Sequence, residues 1–533
     1  MKPLRTCLEI AILCRRRRKE SLISRGVQIS TGAWRLLTSS PAILEHALRQ
    51  FAWYALLPAL LGACAVGPNY SKPDTTNLTP ADWRWKQGEP RDEIPKGEWW
   101  TAFNEPVLDH LETEAVNHNQ NLQAVVARVD QARAAARLTR SQFFPDLSLE
   151  PSLSRQRTSG HLPTPIPFKV PSATFDTFSL PLDLSYEVDL WGRVRRSFEA
   201  ARAQAEASAA DYQNTLLTLT ADVAVDYFLL RSLDLETASL RRTVELRNET
   251  ITILQTRFAA GAIPESELAT AKTELAGAKE ELADTLRRKA ETINALALLC
   301  GAPASSFEVA EHTSAASPPI VPPGLPSLLL ERRPDIAGAE RRLAARNAEI
   351  GVARAAWFPA LRLTGQAGYL SAEASDLFSW DSRVWSLGPS ISLPLFTAGR
   401  TAAEVRQAEA AYQEALAAYR QAVLTAFKEV EDSLAQIRFR NDQATAQTEA
   451  LASAKRVAEL TRVRYQAGAT GYLEVADAER TVLQQQQQEA LLQSERFAAT
   501  VRLIKALGGG WTGTNETAST PQTLKPANSK PPP

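Results

Sequence analysis

The stretch Phe178–Arg193, FSLPLDLSYEVDLWGR, decides the fold. Every second residue from Phe178 to Leu190 is apolar, and the residues between them are Ser, Pro, Asp or Glu. Successive side chains of a strand point to opposite faces, so this alternation predicts a strand with one apolar face and one polar, acidic face. After Gly192 the apolar spacing changes to that of a helix. The stretch therefore predicts a strand that leads directly into a helix.

The same pattern occurs a second time. Apolar residues again alternate, mostly with Ser and Gly, from Trp385 to Leu395, and Gly399 lies 207 positions after Gly192. The same offset relates three further pairs of residues: Phe258 and Tyr465, Gly261 and Gly468, Gly301 and Gly508. A constant offset over such a length predicts an internal repeat.

Long helices follow each of the two strands. Residues 194–260 and 400–467 contain neither Pro nor Gly, and their apolar residues recur at the seven-residue spacing of coiled-coil packing. At 1.5 Å per residue, such a helix is on the order of 100 Å long. Gly261 and Gly468 suit the position just after a helix, and Pro264 suits the first turn of the next one. Each long helix is therefore expected to turn back into a return helix.

The pattern as a whole predicts six segments: a signal peptide with an N-terminal extension (1–63), a lipidated N-terminal strap (64–105), repeat 1 (106–300), a Pro-rich linker (301–330), repeat 2 (331–508) and a disordered tail (509–533). Each repeat contains a helix, a β-hairpin, a long helix and a return helix. The strap is rich in Pro and Trp and is expected to be extended and packed on another part of the protein. The Gln484–Gln488 run in the second return helix is expected to form a solvated face.

The N-terminal region has the features of an export signal. Phe51–Ala63 is an uncharged apolar run about as long as the core of a signal peptide, and it is too short to span a membrane as a helix. It ends in Leu-Gly-Ala before Cys64, which resembles the lipobox of bacterial lipoproteins, where the cysteine is acylated. The alternative is a cysteine in a buried core helix. A lipid on Cys64 is the only covalent group expected, and no cofactor is expected.

Several classes of function find no support in the sequence. Residues 64–533 carry 50 Lys and Arg against 57 Asp and Glu, which argues against a nucleic-acid partner. After Cys64 only Cys300 remains, so neither a disulfide framework nor a cysteine metal site can form. The five His lie in no metal-binding spacing, and no nucleotide-binding or nucleophile motif is present. We therefore predict that the chain is not an enzyme.

The strands have the length that a membrane requires. Each is about the 9–11 residues of a tilted transmembrane strand, and no segment after residue 64 reads as a spanning helix. Sheet edges are not tolerated in lipid, so such strands must close into a barrel. One chain offers four strands, while the smallest common barrels use about eight. We therefore expect three copies to build twelve strands. A soluble hairpin that caps a helical bundle is the alternative.

Five segments, in order and spread over roughly residues 61–510, resemble the outer-membrane efflux factor (TolC-like) lipoprotein family: LGACAVGPNYSKP (61–73), EWWTAFNEPVLDHL (98–111), YEVDLWGRVRR (186–196), ERRPDIAGAERRLAARNAEIGVARAAWFPALRLTG (331–365) and RYQAGATGYLEVADAERTVL (464–483). The resemblance implies a mainly α fold with a transmembrane β-barrel. The expected assembly is a homotrimer whose twelve-stranded barrel in the outer membrane continues into a long periplasmic α-barrel.

The resemblance also implies a function and its partners. Such channel-tunnels export small molecules, including drugs and toxic compounds, through the bacterial outer membrane. They work with a periplasmic adaptor protein and an inner-membrane pump, commonly of the resistance-nodulation-division type. Two alternatives are the outer-membrane component of a type I protein secretion system and a lipid-anchored periplasmic coiled-coil scaffold without a pore. The lipobox and the VGPNY segment resemble the efflux members more closely.

By position, the resemblance assigns a periplasmic gate to four residues: Glu474, Asp477, Tyr465 and Glu267. Glu474 and Asp477 are three apart on a helix and share a face, so three copies would ring an axis with carboxylates. Ordinary solvated helix residues are the alternative for this pair. Tyr465 and Glu267 match positions that lock neighbouring helices. Thr470 departs from a relative that has Arg there, so a weaker lock is expected.

The resemblance further implies that the two turns beside Gly261 and Gly468 contact the adaptor. A purely structural role as helix C-caps is compatible with this assignment, because the turn itself would be the contact surface.

Overall fold

A computed structural model describes the following residues: 65–75, 77–79, 82, 84, 97–160, 172–312, 317–321 and 332–509. The predicted signal peptide with Cys64, and the predicted tail from residue 510 onward, lie outside the described residues.

The described chain is mainly helical and carries one sheet. Its helices are α1 (Pro106–His118), α2 (Gln120–Ser141), α3 (Arg193–Ala259), α4 (Glu265–Leu299), α5 (Pro334–Ala355), α6 (Arg400–Gln466) and α7 (Tyr472–Ala506). Its strands are β1 (Asp146–Leu149), β2 (Ser152–Arg157), β3 (Thr174–Val188), β4 (Ala360–Ser371) and β5 (Arg383–Ser392).

The sheet is antiparallel, with β3 and β4 in its centre. Both β1 and β2 pair with β3, one after the other, and act as one strand interrupted at residues 150–151. β4 pairs with β3 on one side and with β5 on the other. The order is therefore β1/β2, β3, β4, β5. Among the described strands, β1/β2 and β5 form two edges without a further partner.

The strand register separates apolar from polar residues across the whole sheet. One row of partners consists of Leu149, Leu182, Ala367 and Trp385. The adjacent row consists of Ser148, Asp183, Gln366 and Ser386, in which Gln366 donates a hydrogen bond of 2.9 Å to the Asp183 carboxylate. Since rows alternate between the faces, one face of the sheet is apolar and the other is polar.

The apolar face is exposed to the surroundings of the single chain. Trp385, Leu387 and Ile391 of β5 are 81%, 76% and 73% exposed, and Leu153 of β2 is 66% exposed. An exposed apolar surface of this kind marks a contact with lipid or with protein.

The change from strand to helix at the end of β3 has a local cause. The Asp189 carboxylate accepts hydrogen bonds from the backbone N–H groups of Val194 and Arg195, at 3.1 and 3.0 Å. These are two of the N–H groups that have no partner in the first turn of a helix. Gly192 has φ of 82°, a left-handed conformation that glycine adopts readily, and Gly399 before α6 has φ of 85°.

The helices of the two halves match in length. α3 and α6 each have 67 residues, and α4 and α7 each have 35. α2 and α5 each have 22 residues. α3 begins and ends within one residue of the helix that the sequence predicts for 194–260.

The two largest apolar cores among the described residues lie between the helices. One core joins α1, α3 and α7, and in it the rings of Phe228 and Phe497 stack at 4.1 Å between centroids. The other joins α5, α6 and α7 around the buried Tyr419. Trp99 is buried in the first core and donates a hydrogen bond of 3.2 Å to Thr220. The predicted extended strap is wrong at this point, because Trp99–Phe103 forms a short 3₁₀ helix that places several aromatic rings against α3.

The segment 65–75 lies along α3 and α5 without helix or strand structure. Val66 N–H donates a hydrogen bond of 2.9 Å to the carbonyl of Trp191. Gly67 crosses Gly351 so closely that a Cβ on Gly67 would lie 2.5 Å from the Gly351 Cα. The Pro68 carbonyl accepts a hydrogen bond of 3.0 Å from Asn347. These contacts fix the segment from the end of β3 to the middle of α5.

Two further expectations differ from the structure. The apolar alternation extends to Leu395, but β5 ends at Ser392, because Pro394 has no N–H group and restricts the residue before it. The Gln484–Gln488 run is not simply a solvated face. Gln485 accepts a hydrogen bond of 2.9 Å from Gln447 of α6, and Gln486 accepts one of 2.8 Å from Ser239 of α3.

In the described part of the chain, every helix is either too short or too polar to cross a membrane.

A buried carboxyl group in α1 has no compensating partner. The Glu112 side chain is fully buried, and neither of its oxygens accepts a hydrogen bond from a described residue. Burial, with a further contribution from the charge of Asp109, raises the pKa of Glu112 well above its ordinary value. An unpaired buried polar group costs on the order of 1–3 kcal/mol.

We predict that Glu112→Leu raises the free energy of unfolding by on the order of 1–3 kcal/mol at pH 8, since it removes this cost. Because the raised pKa of Glu112 keeps the folded chain protonated where the unfolded chain is ionised, wild-type stability falls as pH rises above the unfolded value. The gain from Glu112→Leu should therefore be smaller below about pH 4.3, where only the cost of burying the neutral carboxyl remains, and urea denaturation followed by circular dichroism would measure the difference.

Glu114→Leu is the matched control, because Glu114 is two positions away, is 41% exposed and, among the described residues, forms an ion pair only with His118, at 3.1 Å. It should change neither the stability at pH 8 nor its slope with pH. An equal gain from both substitutions, or a gain that is constant with pH, would show that the Glu112 carboxyl is not the cause.

Candidate functional site

The two turns at the far ends of the long helices share one geometry. After α3, Ala262 N–H donates to the Arg257 carbonyl at 2.9 Å and Gly261 N–H donates to the Phe258 carbonyl at 2.8 Å. The same pair of bonds follows α6, and Gly468 has φ of 73°. This is the Schellman ending, which needs a left-handed residue. A Cβ on Gly261 or on Gly468 would meet nothing within 4 Å. Backbone conformation, not crowding, therefore requires the glycine, and both turns are exposed.

An apolar cluster holds the two helical hairpins together just above the turns. We call it the tip cluster; its buried members are Ile251, Leu254, Leu268, Ala271, Tyr472, Val475 and Ala476. These residues come from α3, α4 and α7. The first turn of α7 therefore has one face packed against the α3–α4 hairpin, and its other face is exposed.

Tyr465 of α6 and Glu267 of α4 are in contact in the structure. The Tyr465 hydroxyl donates to Glu267 at 3.4 Å, which is long for a hydrogen bond between oxygens. The guanidinium of Arg257 lies 5.8 Å from the centroid of the Tyr465 ring, within the range of a cation–π contact. Burial and the nearby Glu267 raise the pKa of Tyr465, so the hydroxyl keeps its proton at neutral pH. The hydrogen bond between Tyr465 and Glu267 therefore joins the two hairpins but is weak.

Glu474 and Asp477 lie on the exposed face of the first turns of α7, opposite Val475 and Ala476. No described residue pairs with Glu474. Asp477 is 71% exposed and accepts a hydrogen bond of 3.1 Å from Arg480. The two carboxylates are thus not equivalent, because one is free and the other is neutralised within its own helix.

Sequence reasoning missed a charged cluster beside this pair. Arg480 of α7 also bonds Glu274 of α4, and Glu274 pairs with Arg247 of α3 at 3.2 Å. The side chains of Arg247 and Glu274 are only 6% and 12% exposed. The spacing of Asp477 and Arg480, three apart on one helix, was the available signal. The partner on α4 lies 206 positions away and left no local signal.

Leu473 was also missed. Its side chain is 66% exposed in the first turn of α7, between the buried Tyr472 and the exposed Glu474. A large apolar side chain on an otherwise charged surface lacks a partner within the described chain.

The equivalent face of α4 lacks the charges of Asp477 and Arg480, although Glu267 lies 207 positions before Glu474 and is likewise acidic. Thr270 and Thr273 lie 207 positions before Asp477 and Arg480. Their hydroxyls donate to carbonyls of their own helix, to Ser266 at 2.9 Å and to Ala269 at 3.0 Å. The Asp477–Arg480 pair therefore belongs to the second hairpin alone, whereas the position of Glu474 is acidic in both hairpins.

Within the described residues, no group of His, Cys, Asp and Glu is arranged to hold a metal ion. Cys300 is buried, and its burial raises the pKa of the thiol to about 12, so it is an inert core residue. The site consists of helix ends, charges and a turn surface.

Known proteins share the sequence features of this chain. The sequence profile of the outer membrane efflux protein family matches residues 111–302 and 325–509. The pyoverdine export outer membrane protein OpmQ of Pseudomonas aeruginosa is 36% identical over 456 residues, which cover 85% of this chain and 95% of that protein. The solvent efflux pump outer membrane protein SrpC of Pseudomonas putida is 34% identical over 474 residues, covering 86% and 97%.

Solved structures have the same fold. The outer-membrane channel OprN superposes with a TM-score of 0.78 at 30% identity, and the alignment covers 84% of this chain and all of that one. The profile match spans both halves of the chain, including the tip residues on α4 and α7. The chain belongs to the outer membrane efflux protein family.

Proposed function

We propose that this protein is the outer-membrane exit duct of a tripartite efflux pump and that it exports small molecules. The observation that carries the proposal is the sheet with one apolar face and two unpaired edges, which continues at Gly192 and Gly399 into 67-residue helices. Two relatives support the cargo class, since one is named for pyoverdine and the other for solvents. Cargoes so unlike each other suit a passive duct whose selectivity lies in the pump.

The open edges favour a homotrimer. In hydrocarbon, unpaired backbone groups at an edge cost several kcal/mol each, so the edges β1/β2 and β5 must meet edges of other copies. Four strand positions per chain give twelve in three copies, an even number with a water-filled interior. The polar row with Asp183 and Gln366 would line that interior, and the row with Trp385 would face lipid.

The equal lengths of the helices favour duplication of one unit. A trimer would then surround its axis with α3, α6 and their return helices, and form an α-barrel. At 1.5 Å per residue, 67 residues extend on the order of 100 Å into the periplasm. The exposed turns at Gly261 and Gly468 would lie at the far end, where an adaptor protein and the inner-membrane pump approach.

Lipidation of Cys64 is supported by the position of the residues that follow it. A Cβ on Gly192 would lie 2.9 Å from Ala65, and Val66 bonds Trp191. Trp191 and Gly192 lie between the end of β3 and the start of α3. Acyl chains carried by the preceding residue would therefore enter the leaflet beside the base of the barrel.

The gate would lie at the tip. Three copies bring together three Glu474 and three Asp477 side chains, whose mutual repulsion and attraction for cations would control the narrow end. Tyr465 and Glu267 would hold the second hairpin against the first in the resting state. Energy for transport would come from the pump, and no residue of this chain needs to be catalytic.

Of the predictions that test the proposed function, the first concerns the duct itself. The mature protein, purified in detergent, should form trimers and conduct ions when it is added to planar lipid bilayers, because the strands close into a pore only in an oligomer. Cross-linking and single-channel recording are the measurements. A monomer that stays in solution without detergent, or a trimer that never conducts, would favour the alternative of a lipid-anchored periplasmic coiled-coil scaffold without a pore.

A second prediction concerns the gate carboxylates. Glu474→Ala combined with Asp477→Ala should raise the resting conductance several-fold, because it removes the charged ring at the narrow end while leaving the tip cluster intact. Single-channel recording at fixed salt would measure the change.

The control for the gate is Glu449→Ala combined with Glu489→Ala, which removes two exposed carboxylates from α6 and α7 away from the tip. It should leave the resting conductance unchanged. If both double variants behave alike, general surface charge and not the proposed gate controls the current.

A third prediction addresses the anchor. Cys64→Ser should abolish incorporation of radiolabelled palmitate, since the acyl acceptor is lost. Cys300→Ser is the matched control, because this buried thiol should play no part in labelling. Labelled Cys64→Ser protein would rule out the proposed attachment site.

A further inference from the structure

One end of the sheet carries arginines on the face that is apolar along the rest of its length. Leu153 of β2 belongs to the apolar face, and Arg155 and Arg157 follow it two and four positions later. On β5, Arg383 comes two positions before Trp385. Because side chains of a strand alternate between the faces, all three arginines lie on the apolar face. We call Arg155, Arg157 and Arg383 the rim arginines.

This end of the sheet is the one away from the long helices. β3 leads into α3 after Val188, and its apolar face extends from there back to Phe178. The ten steps from Val188 to Phe178, at ~3.3 Å each and tilted by about 40°, give a height of ~25 Å, which is that of the apolar band of a transmembrane barrel. Arg155 lies opposite Asp176, two residues beyond Phe178. Its guanidinium is therefore at the level of lipid headgroups.

The arginines of β2 have only weak partners within the described chain. Arg155 forms an exposed ion pair of 3.5 Å with Asp176, and pairs of this kind contribute about 0–1 kcal/mol. Arg157 donates to the Ser172 hydroxyl at 3.5 Å, which is long for a hydrogen bond. A guanidinium has five N–H donors, so most donors of these two side chains remain available to a ligand.

The loop between β4 and β5 brings aromatic rings to the same place. Phe378 packs edge-on against Tyr369 of the apolar face, with 5.5 Å between the ring centroids. Arg383 lies over the ring of Trp380 and donates from Nε to the Trp380 carbonyl at 3.0 Å. Phe378 and Trp380 are nevertheless largely exposed. Exposed aromatic rings beside an apolar face are typical of a membrane interface.

Hydrogen bonds fix the shape of this loop. The buried Ser382 hydroxyl donates to the Asp376 carbonyl at 2.6 Å and lies 2.9 Å from the Ser379 hydroxyl. The loop also contains three acids, Glu373, Asp376 and Asp381. Acids repel an anion, so the candidate contact for an anion is the set of strand arginines, whereas the loop contributes aromatic surface.

Assembly would bring rim arginines of two chains together. Arg155 and Arg157 lie on the edge strand β2, and Arg383 lies on the other edge strand, β5. In the proposed trimer, β5 of one copy pairs with β1/β2 of the next. Each of the three seams would then have two rim arginines from one chain and one from its neighbour. A single chain does not contain the complete set.

Phosphate is the anion that such a set of side chains suits. A guanidinium can bind phosphate through two parallel N–H···O bonds, and it loses less hydration than an ammonium group does. In the bacterial outer membrane, the leaflet at this end of a barrel consists of glycolipids whose sugar headgroups carry phosphate. The apolar face below the arginines would contact the acyl chains of such a lipid, and the exposed aromatic rings would contact its sugars.

We propose that each seam of the trimer binds one phosphorylated glycolipid of the outer leaflet, with the rim arginines on its phosphate groups and with Phe378 and Trp380 beside its sugars. The site rests on the proposed function through the trimeric barrel, and it adds a lipid partner that the duct does not require. The bound lipid contacts both edge strands and thereby holds adjacent copies together.

The test counts the lipids retained by full-length trimers. Trimers in detergent are mixed with bisphosphorylated lipid A and analysed by native mass spectrometry. Wild-type trimers should retain up to three molecules. The triple variant Arg155→Gln/Arg157→Gln/Arg383→Gln should bind lipid A at least ten-fold more weakly, which corresponds to ~1.4 kcal/mol or more. An unchanged affinity would overturn the site.

The matched control is Arg242→Gln/Arg287→Gln/Arg456→Gln. It removes the same charge from α3, α4 and α6, where each arginine is exposed and forms an ion pair within its own helix. The control should retain lipid A as wild type does. An equal loss of binding in both triple variants would show that net charge, and not the rim arginines, controls the binding.

Two further measurements use wild-type trimers, so they decide the question even if the triple variant does not assemble. Lipid A from which both phosphates have been removed should bind at least ten-fold more weakly, and equal retention would overturn the site. Phosphatidylglycerol has one phosphate and no phosphorylated sugar, so it should compete poorly. If it displaces lipid A at equal concentration, the surface accepts any anionic lipid and the proposed glycolipid site is wrong.

The outcomes separate the lipid site from the duct. If trimers conduct ions but retain no lipid A, the site is wrong while the duct stands. If trimers retain lipid A but never conduct, the duct fails while the site stands. A chain that stays monomeric overturns both, because the site needs two copies.

Discussion

The structure depends on one constraint, which is that backbone N–H and C=O groups at a sheet edge cannot remain unpaired in hydrocarbon. The sheet of a single chain ends at β1/β2 on one side and at β5 on the other, and its apolar face is open. Neither feature is stable for one chain in water or in lipid. The long helix α6 adds the same demand, because it presents exposed apolar side chains along its length, including Phe439 and Val463. The proposed trimer would complete both parts of the protein.

At the tip, α7 contacts the first hairpin through an apolar cluster and through charged side chains, and the two kinds of contact differ in how strictly they fix its position. The tip cluster buries Tyr472, Val475 and Ala476 against the first hairpin, and apolar contacts of this type have no required direction. The charged contacts beside it do have direction. Sliding across the cluster can therefore be tolerated, whereas the geometry of Arg480 between two acids is satisfied in one arrangement only.

Local sequence signals predicted the helices and strands well, but they did not predict contacts between residues that are distant in the sequence. Alternation identified β3, and the positive φ of Gly261 and Gly468 follows from their place after a helix. The contact between Arg480 and Glu274 could not be predicted, because it depends on how two hairpins pack. The Gln484–Gln488 run shows the same limit, since its amides bond other helices. Pro394 carried a local signal for the end of β5 that the apolar alternation obscured.

The near-identity of the two hairpins has a consequence for the symmetry of the assembly. Three chains would present six hairpins of equal length, so that the periplasmic rim approximates sixfold symmetry in its backbone. The side chains break this symmetry, because Thr270 and Thr273 bond their own helix while Asp477 and Arg480 reach outward. A ligand that contacts only the backbone of the rim would find six equivalent positions, and one that recognises the charges of Asp477 and Arg480 would find three.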